Sequence, residues 1–230
     1  LDFSYDAEHI DFADAVNRIS ISGAQEKLSA VIKDNKICLT QADEHGRYII
    51  KPAPGDERLR FRQQMPANEH LTMQIAKQVY KIKTAECAIA FFADDKITYI
   101  TKRFDYTLDG AKIAQEDFAS LAGKTEKSHG KDFKYTGSYE DAALLLRQFV
   151  AAWRVEIANY FILIIFNYLF GNGDAHLKNL SLQQTKNGDY IMTPAYDLLN
   201  TSIHINDGDF ALQDGLMPKD ARSDIYLNTG

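Results

Sequence analysis

Cysteine is scarce: Cys38 and Cys87 are the two in 230 residues, and no CxxC spacing joins them. That gives no support to a disulfide framework or a redox motif, and points to buried free thiols in a reducing compartment. A long apolar run is missing too. Tyr160 to Phe170 comes nearest, but it is too short to span a bilayer and is interrupted by Asn167. No signal peptide is visible, so a cytoplasmic location is expected. Positive charge is not in excess: the formal net charge is −6, which gives no bulk signal for nucleic acid. The histidines lack HxxxH or HxxEH spacing, which argues against a zinc site. No G-x-S-x-G, Walker A or G-x-G-x-x-G pattern occurs, and there is no internal repeat or low-complexity segment. The first residue is Leu rather than Met, as expected of a trimmed or partial chain.

What is present is an ordinary globular composition, 45% hydrophobic and 25% charged, long enough for one large core or two lobes. Asp11 to Arg18 has the makings of a short helix. Leu28 to Ile32 and Ile37 to Thr40 read as a hairpin, and Arg47 to Pro52 as a third strand ended by its proline. Residues 53–66 read as a loop. Asn68 to Tyr80 carries a helical stripe at Leu71, Ile75 and Val79. Ala88 to Phe92 and Ile97 to Ile100 flank an Asp94-Asp95 turn. Beyond Phe104 the pattern becomes helical. A helix is expected to start at Gln115, and 124–138 is expected to be a loop. Tyr139 to Ala152 is read as a helix with Leu144, Leu145 and Phe149 on its apolar side. Val155 to Phe170 is apolar almost all round, which predicts a central buried helix. A hairpin follows, turned by Asn187-Gly188, and then Ala195 to Leu199.

Chemistry concentrates after the apolar helix, in Phe170-Gly171-Asn172-Gly173-Asp174-Ala175-His176-Leu177-Lys178-Asn179. The two glycines disfavour continuing the helix, each by about 1 kcal/mol. Asp174 and Asn179 share one loop, and the hairpin beyond it returns the chain so that Asp197 comes to the same end. Carboxylate and carboxamide oxygens are hard ligands suited to Mg²⁺. D-x-x-x-x-N, a hairpin and then D is the order of protein-kinase catalytic loops. Taken singly, Asp174 and Asn179 read more readily as turn and cap residues than as functional ones. Lys51 emerges from the apolar strand end Ile49-Ile50, with Glu69 as the candidate partner on the following helix. The loop Ser20 to Lys27 has a single glycine and is by itself a weak anion site. Lys102-Arg103-Phe104 joins the strand-rich and helical halves, either as a plain linker or as a hinge meeting an adenine edge.

In their order, Ser20-Ile21-Ser22-Gly23-Ala24-Gln25-Glu26-Lys27, Ile49-Ile50-Lys51, Asn68-Glu69, Lys102-Arg103-Phe104-Asp105, Gln115-Glu116-Asp117, Gly173 to Asn179 and Pro194-Ala195-Tyr196-Asp197 resemble the HipA family of bacterial serine/threonine kinases. The resemblance covers about residues 20 to 200. It implies an α+β, two-lobed protein-kinase-like fold, with a strand-rich N-lobe over 1–104 and a mainly helical C-lobe over 105–230. It implies ATP and Mg²⁺ as cofactors, Asp174 as catalytic base, and Asn179 and Asp197 as metal ligands. Lys51 would hold ATP phosphates. Ser22, Gly23, Ala24, Gln25, Glu26 and Lys27 would form the phosphate-side loop, Lys102, Arg103 and Phe104 would line the adenine pocket, and His176, Lys178 and Tyr196 would lie close to the nucleotide. Ser20 and Ser22 stand at the positions of an inactivating autophosphorylation.

The resemblance further implies the toxin of a toxin–antitoxin pair, an aminoacyl-tRNA synthetase as protein substrate, and a small DNA-binding helix-turn-helix antitoxin as partner. The chain begins almost at the phosphate loop and ends soon after Asp197. It therefore resembles the compact branch, in which the missing N-terminal subdomain can be a separate protein. Two further readings compete: a non-catalytic nucleotide-binding partner of the antitoxin, and a metal-dependent phosphohydrolase using the same carboxylates.

Overall fold

The computed structural model describes residues 1, 26–34, 36–41 and 44–216. The expected helix at Asp11–Arg18 and the loop residues Ser20, Ser22, Gly23, Ala24 and Gln25 lie outside the described residues. The first hundred residues build strands β1 (Leu28–Lys33), β2 (Lys36–Leu39) and β3 (Tyr48–Pro52), helix α1 (Met65–Gln78), and strands β4 (Cys87–Phe91) and β5 (Ile97–Lys102). The strands form one antiparallel sheet in the order β2-β1-β3-β5-β4. Its register aligns Leu28 with Ile50 and Ile50 with Ile100, and these residues join Ala30 and Phe92 in a small buried core. Side chains alternate along a strand, so Lys51 and its cross-strand neighbour Tyr99 fall on the opposite face. Helix α1 covers that face, packing on β4 and β5.

The rest of the described chain has β6 (Gln115–Asp117), α2 (Phe118–Leu121), α3 (Glu126–His129), α4 (Tyr139–Phe149), α5 (Trp153–Leu169), β7 (Ser181–Gln184) and β8 (Tyr190–Met192). Strands β6, β7 and β8 make a second antiparallel sheet. A core of Phe118, Leu146, Tyr160, Ile164, Phe166 and Leu182 fills this lobe and runs on into Met73 and Ala76 of α1 and Tyr99 of β5. The lobes therefore share packing, with α1 reaching across.

Several sequence expectations are corrected. Gln115 opens a strand, not a helix: Gln115, Glu116 and Asp117 pair with Gln183, Leu182 and Ser181, and the helix begins at Phe118 behind an Asp117 cap. The 124–138 segment holds α3 and a 3₁₀ turn at Phe133–Tyr135. In α1, which starts earlier than expected at Met65, Leu71 faces solvent, as does Val79 just past its end, while Met73, Ala76, Thr72 and Glu69 are buried. In α4 the buried side is Tyr139, Ala142 and Leu146; Leu144 and Phe149 are exposed. Helix α5 is buried on one face only. Val155, Phe161, Ile162 and Leu169 lie outward, with Phe161 59% exposed, so an all-round apolar sequence here does not mean an all-round contact. Tyr190–Met192 and Ser181–Gln184 form the expected hairpin, and Gly188 takes a left-handed φ of 90° in its turn.

Candidate active site

The chain leaves α5 at Phe170, and Gly171 follows with φ 61°, the left-handed conformation that ends a helix at little cost in glycine. Asn172 is buried, and its Nδ2 donates to Asn167 Oδ1 (2.9 Å) and to the Asp197 carbonyl (3.3 Å), tying this turn to the Asp197 segment. Gly173 N–H donates to Thr201 Oγ1 (2.8 Å). A Cβ at Gly173 would lie 2.5 Å from the Asp207 carboxyl and 2.6 Å from the Gly208 carbonyl. Gly173→Ala is therefore expected to destabilise by about 1–3 kcal/mol through overpacking. A urea titration giving an unchanged midpoint would contradict that close approach.

Asp174 emerges from this turn with its side chain 45% exposed. Tyr135 Oη donates to its Oδ1 at 2.6 Å. Asn179 Nδ2 donates to the Asp174 carbonyl (2.9 Å), so the oxygen of its carboxamide is the end with capacity left for a cation. His176 is buried, with Nε2 3.9 Å from Asp174 Oδ1 and, among the described residues, no hydrogen-bond partner for Nδ1. Burial outweighs the nearby carboxylate and lowers its pKa to about 4, so the ring is neutral at physiological pH.

Across the cleft, Lys51 Nζ donates to Glu69 Oε1 (2.6 Å) and to Asp197 Oδ1. Lys27 Nζ reaches Asp197 Oδ2 at 3.4 Å. Burial alone would lower the Lys51 pKa, but the Asp197 and Glu69 carboxylates outweigh it and hold it above the usual lysine range. Burial likewise pushes Asp197 up, yet Lys27 and Lys51 hold it well below the usual carboxylate range. Glu69, more deeply enclosed, is raised by burial despite Lys51, and its Oε2 has no partner among the described residues. The backbone explains the convergence. Ala85 N–H donates to the Ala195 carbonyl (2.9 Å) and Ala195 N–H to the Lys83 carbonyl (2.8 Å). Asn68 of α1 holds both the Asn200 carbonyl and N–H. Asp197 has φ 55°, a left-handed conformation costing a non-glycine residue about 1–3 kcal/mol and concentrated at functional sites.

Lys27, Lys51, Glu69, Asp174, Asn179 and Asp197 line one cleft of about 290 Å³. Among the described residues no group of three or more His, Cys, Asp or Glu is arranged to hold a metal by itself. Asn179 and Asp197 offer oxygen donors on that cleft and fit a Mg²⁺ shared with phosphate oxygens.

The remaining expected site residues are placed differently. Lys178 Nζ pairs with Asp117 Oδ2 at 3.0 Å. The Tyr196 hydroxyl donates to the Lys178 carbonyl (2.9 Å) and meets Ser181 Oγ (2.7 Å), while its ring packs on Phe104. Both border a neighbouring groove with Asp105 and Asp117. Lys102, Arg103 and Phe104 line a third groove; the N–H groups of Lys102 and Arg103 are already donated to Glu86 and Arg47 carbonyls. Glu26 is described, and burial raises its pKa. Tyr135, Lys134 and Thr201 also line the main cleft, and no sequence pattern marks them. Lys134 and Tyr135 sit in the 124–138 segment that reads as a loop, and Thr201 follows the Ala195 to Leu199 stretch.

Residues 19–225 match the family described as HipA-like C-terminal domain. A Haemophilus influenzae protein named "Putative kinase" is 31% identical over 190 residues, 80% of this chain and 53% of its own length. The chain thus spans about half the length of that curated relative. A chain of the Shewanella oneidensis toxin–antitoxin complex of HipA, HipB and operator DNA aligns with a TM-score of 0.63 at 23% identity, over 84% of this chain and 47% of that one. The Helicobacter pylori proinflammatory kinase CtkA aligns with a TM-score of 0.52 at 19% identity, over 75% of this chain and 53% of its own. At these identities the structural likeness establishes the fold, two-lobed and protein-kinase-like, and residues 19–225 establish the family. The chain belongs to the HipA-like C-terminal domain family.

Proposed function

We propose that this chain is an ATP-dependent serine/threonine protein kinase. The observation that carries the reading is one cleft with Lys51, bridged between Glu69 and Asp197, on one side and Asp174 with Asn179 on the other. Asp174 takes the proton of the acceptor hydroxyl. Lys51 and Lys27 neutralise phosphate charge, and Glu69 fixes where the Lys51 ammonium sits. Asn179 and Asp197 would hold Mg²⁺, which would supply charge stabilisation to the transferring phosphoryl group. Such sites work chiefly by positioning and electrostatics. His176, neutral and buried, supports the Asp174 side of the cleft. Lys178, Tyr196, Lys102, Arg103 and Phe104 belong to the nucleotide side in this reading, with the lobe boundary after Phe104, and Ser22 to Lys27 form the phosphate-side loop.

The family supports a toxin role with an aminoacyl-tRNA synthetase as substrate, and the presence of HipB and operator DNA beside HipA in the Shewanella complex supports a DNA-binding antitoxin partner. Autophosphorylation at Ser20 or Ser22 is the expected off-switch.

The test is incubation of phosphatase-treated protein with ATP and Mg²⁺, reading ADP release and intact mass. Phosphate gained by this protein or an added protein acceptor supports the kinase. ATP consumption that yields only free phosphate favours a phosphohydrolase. Nucleotide binding with no turnover favours the regulatory partner of the antitoxin. Phosphoproteomics after brief induction identifies the substrate.

A further inference from the structure

We propose that Tyr135 is a phosphoacceptor of this site: when no protein substrate is docked, its phenol receives the terminal phosphoryl group of ATP bound in the same cleft. The inference rests on the kinase reading and deepens it.

The geometry carries it. A base that deprotonates an acceptor must hold that hydroxyl within hydrogen-bond reach, roughly 2.6–3.2 Å. Tyr135 Oη is 2.6 Å from Asp174 Oδ1, the contact a substrate hydroxyl has to make. Tyr135 lines the same cleft as Lys51, Asn179 and Asp197. Thr201 also brings a hydroxyl to this cleft, but it accepts from Gly173 N–H and spends its proton on the Gly171 carbonyl and the Asp207 carboxylate. Tyr135 is also held in place. Its N–H donates to the Asp132 carbonyl (2.8 Å), its carbonyl accepts from Gln213 N–H (2.9 Å), and its ring meets His176 edge-on at 5.1 Å. Burial and the adjacent Asp174 keep the phenol above its ordinary pKa, so it does not ionise unaided and depends on Asp174 for deprotonation.

In the step, Oη attacks the γ-phosphorus and an O–P bond forms. The bond from that phosphorus to the β,γ-bridging oxygen breaks, and ADP leaves with the electron pair. The phenolic proton passes to Asp174 and then to water. The phosphate left on Tyr135 lies beside Lys134 and Lys27, cations of the same cleft. It fills the acceptor place and blocks further transfer.

To test this, the phosphatase-treated full chain is incubated with ATP and Mg²⁺ without other protein, digested, and its phosphopeptides mapped. Phosphate is expected on Tyr135, with a rate constant unchanged on dilution, and is expected to be lost in Tyr135→Phe. Phosphate confined to serine or threonine overturns the inference and leaves the kinase reading standing. A rate constant that falls on dilution overturns transfer within one molecule. No phosphate on this chain and none on added myelin basic protein overturns both readings. The mapping uses the unaltered chain, so the outcome does not depend on how well the variant folds.

Discussion

Lys51→Met is expected to lower stability by about 3–5 kcal/mol and to cut phosphoryl transfer roughly 10²–10³-fold. The stability loss comes from what the substitution leaves behind. Glu69 has a side chain only 1% exposed, and its Oε1 has Lys51 as its ion-pair partner. Removing one partner of a buried pair strands the other charge without its compensation. Glu69 is already raised by burial, and losing the cation raises it further while Asp197 adds repulsion. A carboxylate whose folded pKa exceeds its unfolded value binds more protons in the native state. Its contribution is present at low pH and is lost as pH climbs through the folded value. The Lys51→Met deficit should therefore grow with pH above the ordinary glutamate range. Urea unfolding at about pH 5 and about pH 8 reads this directly. A loss that is pH-independent would mean that Glu69 finds another partner. Adding Glu69→Leu to Lys51→Met should recover part of the stability and none of the activity, because apolar replacement of both partners removes the stranded charge.

The Lys51–Glu69 pair is legible in the sequence because both halves of the argument are local. An apolar strand end delivers a lysine, and the next helix carries a carboxylate near its start. The strands and their turns are legible for the same reason: Asn187-Gly188 and Asp94-Asp95 set hairpins by backbone preference alone. The helix faces are not. On α1 the stripe Leu71, Ile75, Val79 has the right period, yet the helix is rotated so that Glu69, Thr72 and Met73 go inward. The ion pair with Lys51 and the Asn68 bonds to the Asn200 segment fix that rotation. On α4, Tyr139 turns inward because its hydroxyl donates to the Ala175 carbonyl (3.0 Å), a contact with the turn that carries Asp174 that no periodicity reveals. β6 escapes a sequence reading because a three-residue edge strand exists only through its partner β7. Tyr135 and Thr201 escape it because each acts through a contact distant in sequence, to Asp174 and Gly173.

Asp174→Asn should separate the proposed catalytic carboxylate from the structural one. Asp174 is nearly half exposed, and its side-chain contacts are the hydrogen bond from Tyr135 and the longer approach of neutral His176. The amide oxygen of Asn still accepts from Tyr135, so the change in folding stability should stay within about 0.5 kcal/mol. Proton acceptance is lost, and a positioned general base contributes roughly 10²–10⁴-fold. The rate of transfer should fall by that factor while the KM for ATP holds, since Lys51, Lys27 and Asp197 remain as they were. Asp197→Asn is the contrasting case. It removes a charge that neutralises both Lys51 and Lys27 and, in the proposed site, an oxygen for Mg²⁺, so it should lower stability and nucleotide affinity together. Thermal melts and steady-state kinetics on the two variants distinguish the roles. Should Asp174→Asn weaken ATP binding as strongly as Asp197→Asn while sparing the transfer rate, Asp174 would be a nucleotide-binding residue and the base would have to be sought elsewhere in the cleft.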